Sequence, residues 1–203
     1  MAELMAMLGG ADDLYMETIR ENLEHRVLIL NREINESVIE DYITYILKWN
    51  KEDKGLPAEM RKPIKIYINS LGGCCFNGFN LVNIILASKT KIIGVAFGLT
   101  ASMGYHIFLA CHERIAFIDS VLLQHDGEIA IQNSASKAKD TMRFFDSMES
   151  RTKDYVLSRT TMTEEFYDNH YDQEYYMYAN EQGKEFGIVH KVIGEDCDID
   201  YIL

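Results

Sequence analysis

Ile64-Lys65-Ile66-Tyr67-Ile68-Asn69-Ser70-Leu71-Gly72-Gly73 is the stretch whose reading decides the fold. Its first six residues are rich in β-branched and aromatic side chains and predict a buried strand. The strand runs directly into Ser70-Leu71-Gly72-Gly73 and then into a helix-like segment from Phe76 to Ser88. Lys91 to Gly98 reads as the next strand, and Ala101 to Ala110 as the start of another buried helix. Upstream, Arg26 to Asn31 is a short apolar run suited to a strand. Asn35 can cap the helix that follows, whose Val38, Ile39, Tyr42, Ile43, Ile46 and Leu47 recur at helical spacing. Strand and helix in strict succession predict an α/β protein with parallel strands.

Outside this segment the signals are shorter. Residues 50–63 are charged and carry Gly55, Pro57 and Pro63, which predicts a surface loop. Short β-like runs surround Leu122-Leu123-Gln124. A long polar helix is expected over 133–159, with Met142, Phe145, Met148, Thr152, Tyr155 and Val156 along one face. That stripe either packs on its own domain or projects against a neighbouring subunit. Residues 1–25 are expected to form a mobile arm, 26–195 a single domain and 196–203 a tail.

The chain holds 20 Lys and Arg against 32 Asp and Glu, a formal charge of -12. Such a surface repels phosphate backbones, so nucleic acid and anionic membranes are excluded as expected partners. Cys74, Cys75, Cys111 and Cys197 show no CxxC spacing and are expected to be free thiols. No run has the roughly 18 apolar residues of a spanning helix. Met1 to Gly10 lacks the basic flank of a signal peptide. A cytoplasmic protein is expected, with no cofactor and no metal, because no His, Cys and carboxylate cluster has ligand spacing.

Two short segments can carry chemistry. Gly98-Leu99-Thr100-Ala101-Ser102-Met103-Gly104 places a serine where a strand gives way to a helix. The first amides of that helix lack intrahelical partners and can receive developing negative charge, as acyl transfer requires. On spacing alone Ser102 is more readily read as a helix cap, because the pattern is not the G-x-S-x-G elbow. Gly72-Gly73 follows a strand end and can bring backbone close to a ligand, or simply form a tight turn. Among the six histidines, His125 stands at the end of an expected strand, where a rigid element can hold a general base.

Taken together these segments resemble the proteolytic subunit of Clp protease. Tyr67 to Gly73 is similar to that family's YINSPGG, and Thr100 to Gly104 to its AASMG, which carries the nucleophile. The spacing from Gly73 to Ser102 matches without a gap. Val121 to His125 stands where the family has a strand ending in its catalytic histidine. Glu185 to Val189 resembles EYGLID, and Arg26 to Ile34 resembles ERIIFLGGEI.

The resemblance implies a fold shared with crotonases, a superhelix of ββα units, with a protruding helical handle that residues 133–159 would form. It implies a serine endopeptidase in which Ser102 attacks, His125 transfers the proton and an acid orients the imidazole. The amides of Gly73 and Met103 would be the oxyanion hole, worth about 3 kcal/mol per donor. It further implies a homo-oligomer of stacked heptameric rings, a ring ATPase unfoldase as partner, unfolded polypeptides as substrates and unaided cleavage of short peptides. The chain departs from the pattern at several points. Leu71 replaces the turn proline, and Asp126-Gly127 follow the histidine where the family has glutamine and proline. The family's acid falls on His170 or Tyr171, depending on the anchor chosen. Asp172 is the nearest carboxylate to both registers, with Asp168 next. A catalytically weakened or inactive ring subunit is the alternative, and a crotonase-type acyl-CoA enzyme the third reading.

Overall fold

The computed structural model describes residues 14–203. Of the expected N-terminal arm, positions 1–13 lie outside the described residues. Residues 14–24 form helix α1, which leaves Leu14, Tyr15 and Met16 exposed. A seven-stranded sheet follows, with β1 (Val27–Leu30), β2 (Ile64–Ser70), β3 (Ile92–Ala101), β4 (Glu113–Phe117) and β7 (Lys191–Ile193) side by side in the order β1-β2-β3-β4-β7. All four of these pairings are parallel, as helical crossovers require. Near its end β3 also pairs with β5 (Val121–Gln124), and β5 pairs antiparallel with β6 (Tyr175–Tyr178).

The strand expected to stop at Gly98 continues to Ala101. Gly98 takes φ 54°, and the bend lets β3 leave β4 after Ala96 and join β5 from Leu99. Asn69 pins the bend by accepting the Leu99 amide at 3.1 Å. A change of partner, not an end of strand, is what this glycine serves.

Three helices pack the crossovers: α2 (Thr44–Glu52), entered through a π-helical turn at Ile39–Ile43, α3 (Cys75–Ala87) and α4 (Met103–Ala110). All eight residues of α4 are buried. An all-round apolar helix belongs at the centre of a domain, and α4 lies there against α3 and the sheet. Asn35 does not cap α2. Its side chain accepts the Ser37 amide in a local turn, and the helix starts four residues later. Of the stripe expected there, Val38, Tyr42, Ile43 and Ile46 are buried, whereas Ile39 and Leu47 face outward.

Two buried polar anchors lock the layers. Arg26 holds Asp53 with bonds of 2.7 and 2.9 Å, and Asp53 also accepts from Thr90 at 2.7 Å, tying β1 to the end of α2 and the start of β3. Arg114 on β4 reaches five backbone carbonyls, from Leu109 to Ile188.

The long helix α5 (Ala135–Arg159) has only Val156 buried, so most of it projects from the domain. At about 1.5 Å per residue it is about 37 Å long. Helices α6 (Glu164–His170) and α7 (Gln182–Glu185) flank β6. The tail folds back as a short turn at Ile199–Tyr201, and Lys65 and Tyr67 donate to the Ile202 carbonyl. Among the described residues no helix is long and apolar enough to cross a membrane.

Candidate active site

No loop separates β3 from α4. The single residue between them, Ser102, must reverse the chain, and it takes φ 52° and ψ -124°. A side chain with positive φ costs on the order of 1–3 kcal/mol and persists only when its surroundings hold it. Here the Ser102 amide donates to the Leu123 carbonyl at 3.0 Å. Its carbonyl accepts twice, from the His106 amide at 3.1 Å and from His106 Nδ1 at 2.9 Å.

Facing this turn is the end of β2. Gly72 and Gly73 take φ 105° and 141°. A methyl group on Gly72 would stand 2.6 Å from Ser102 Cβ, and one on Gly73 would stand 2.4 Å from the Ile34 carbonyl oxygen. Glycine is therefore required at both positions, for conformation and for space. The Gly72 carbonyl accepts from the Ile34 amide at 2.8 Å, and the Ile34 carbonyl accepts from Cys74 at 2.8 Å. The Gly73 amide between them is skipped. Met103 opens α4, so its amide has no intrahelical acceptor either. Among the described residues neither amide donates to any group.

Strand β5 lies in register with β3, Thr100 opposite Leu122 and Ala101 opposite Leu123, so His125 leaves the sheet beside the serine turn. Gly73, Ser102, Met103 and His125 share the wall of one cavity of about 250 Å³. Phe79, Met148, Thr152, Tyr167 and Tyr171 supply much of its remaining wall. Ser102 Oγ and His125 share no hydrogen bond here among the described residues. In free enzymes such contacts are often long and tighten with substrate.

Asp172 is not brought to this cavity. It is exposed in the turn behind α6, and Asp168 is drawn to Lys153 at 2.7 Å on the outer face. The wall position belongs to Tyr171, whose phenol is pushed up by burial and then by the Glu149 carboxylate. The carboxylates on the wall are Asp126, Glu128 and Glu149. Sequence reasoning passed over Glu149, although it follows Met148 and lies between Phe145 and Thr152 on the expected stripe of α5. His106 was also missed, being one histidine in a buried helix. It lines the cavity, and burial pushes its imidazole down to about 4. No group of three or more metal-ligating side chains occurs among the described residues.

A strained serine at a helix start, two unpaired amides and a histidine at one end of a parallel sheet have the layout of an acyl-transfer site in an α/β protein. Residues 11–196 match the Clp protease family, and the chain belongs to that family. It is 27% identical over 183 residues to ATP-dependent Clp protease proteolytic subunit 1 of Bacillus cereus, covering 89% of each chain. It is 27% identical over 172 residues to proteolytic subunit 2 of Prochlorococcus marinus, covering 83% of this chain and 82% of that one. The fold is similar to that of a ClpP1 mutant from Listeria monocytogenes, with a TM-score of 0.74, 22% identity and coverage of 91% of this chain and 98% of that one. The α/β architecture with a helical handle, expected from the sequence, is the one observed.

Proposed function

We propose that this chain is the peptide-cleaving subunit of a self-compartmentalised Clp-type serine endopeptidase. One observation carries the reading: the strained Ser102 turn and the unpaired amides of Gly73 and Met103 open on the same cavity as His125. Ser102 Oγ attacks the scissile carbonyl while His125 takes its proton. The carbonyl oxygen becomes negative and is received by the two amides. His125 then protonates the leaving amine, and water releases the acyl group by the same route in reverse. The polypeptide substrate, the stacked-ring assembly and a ring ATPase that feeds it unfolded chains belong to this proposal, supported by the family and by the exposed α5.

Replacing Ser102 with Ala tests it directly. The assembled wild type should cleave short fluorogenic peptides and label with a fluorophosphonate at Ser102, and the variant should do neither. Wild-type protein that is inert in both assays defeats the reading. The orienting carboxylate is found by comparing Asp172→Asn with Glu149→Gln, because loss of that group should lower kcat by roughly a hundredfold or more.

A non-catalytic ring subunit is the second reading. The absence of Asp172 from the cavity wall favours it. Intact assembly with no label at Ser102 would establish it.

A further inference from the structure

His106 is a buried titratable side chain on this cavity to which the mechanism gives no role. It sits four residues after Ser102, so its ring falls back over the preceding turn of α4. Its Nδ1 lies 2.9 Å from the Ser102 carbonyl oxygen. A carbonyl can only accept, so Nδ1 carries the proton. The ring is fixed on several sides. It stacks on Tyr155 with centroids 6.2 Å apart and 25° between planes, and Phe79 lies 6.0 Å away. Tyr155 also donates its hydroxyl to the His106 carbonyl at 2.7 Å.

The carbonyl that His106 holds belongs to the Ser102–Met103 peptide. That unit is planar and trans, so its C=O and its N–H point in opposite directions. Fixing the Ser102 oxygen therefore fixes the direction of the Met103 amide. The torsion that sets this plane is the Ser102 ψ of -124°, in a residue that already carries the strain of φ 52°. A single backbone bond from the His106 amide at 3.1 Å would allow the plane to rock about it. The second donor removes that freedom.

We propose that His106 is a positioning residue, whose Nδ1–H aims the Met103 amide at the place where the oxyanion forms. This rests on the peptidase reading above. Burial first, and then the charge of His125, push its imidazole down to about 4 against the pull of the Ser102 carbonyl. The ring thus stays neutral while its neighbour His125 exchanges protons. The remaining ring nitrogen, Nε2, is unprotonated, so His106 holds the peptide without adding a charge to the cavity.

The test compares assembled wild type with His106→Phe, His106→Asn and His106→Gln in peptide cleavage and in fluorophosphonate labelling. Asparagine places an N–H where Nδ1 stands, whereas glutamine places it where Nε2 stands. We expect His106→Phe and His106→Gln to lose about tenfold in kcat, the worth of one hydrogen bond, with KM within about twofold. His106→Asn should recover most of the loss. Equal rates for the Asn and Gln variants, or wild-type kcat in His106→Phe, would overturn the proposal. If His106→Phe fails to fold, the Asn and Gln pair decides alone. Wild-type protein that does not label at Ser102 overturns the peptidase reading, and this one with it.

Discussion

A methyl group at Gly72 would press against Ser102 Cβ at 2.6 Å and Ser102 Oγ at 3.0 Å, from a backbone at φ 105°. The Cβ cannot retreat, because Ser102 is held at both its amide and its carbonyl. Gly72→Ala should therefore abolish labelling at Ser102 and lower stability by about 1–3 kcal/mol, read from thermal unfolding. Gly104 makes a useful comparison. Its added methyl would meet the Ser70 carbonyl oxygen at 3.2 Å, a tighter than ordinary contact that leaves Ser102 untouched. Gly104→Ala should cost stability while retaining more of the labelling than Gly72→Ala does. Gly72 and Gly73 were legible in the sequence as a turn. The second purpose of Gly72, clearing space for the serine from a different strand, was not, because spacing along the chain carries no information about what packs across it.

At the scale of elements, two charged side chains bind strand ends together. Arg114 is buried, and its guanidinium is pulled down to about 10 by burial and then by the charge of Arg159. It has no carboxylate partner among the described residues and donates instead to carbonyls of five residues, the shortest at 2.6 Å to Ile188. Arg114→Met removes these donors at once and should cost about 3 kcal/mol in denaturant unfolding. Glu113, the first residue of β4, pairs with Lys91 at 2.6 Å and Lys191 at 3.1 Å and accepts from Tyr201 at 2.7 Å. Burial alone would raise its carboxyl, but these three partners outweigh burial and hold it at about 2, below its ordinary 4.5. A lowered carboxylate stabilises the fold fully above the unfolded value and loses that contribution as pH falls through the folded one. Wild type should thus lose stability between about pH 4.5 and pH 2. Glu113→Gln should be the less stable protein at neutral pH, and the gap should close across that window in acid titrations followed by circular dichroism.

At the scale of the molecule, α5 is the element through which the proposed assembly would form. Met142 and Phe144 lie exposed along it, and Phe144 stacks on Phe76 with centroids 6.1 Å apart. In the stacked-ring assembly proposed above, this apolar surface is covered by the facing subunit. Replacing both Met142 and Phe144 with Glu should convert stacked rings to smaller species in size-exclusion chromatography with light scattering. The melting temperature of the separated subunit should barely move, since exposed substitutions usually stay within about 0.5 kcal/mol.

The succession of strand and helix through α4, the parallel sheet and the projecting helix were readable from local pattern, because strand and helix periodicities and glycine breaks are properties of neighbouring residues. So were Ser102, His125 and the Gly72-Gly73 turn, each placed at the end of an element. The surroundings of Asp172 were not: it is the carboxylate nearest along the chain to the family's registers, but α6 ends in a turn that leaves it exposed and places Tyr171 on the cavity wall. Glu149 reaches that wall from α5, an arrival that depends on helix packing across distant segments, whereas His106 meets the Ser102 carbonyl locally, four residues further along α4. The sequence by itself determined which elements form and where the Ser102 turn lies, since those follow from local backbone preference. Only the tertiary structure decided which side chains surround that turn, because a cavity wall is assembled by packing between segments that share no local signal.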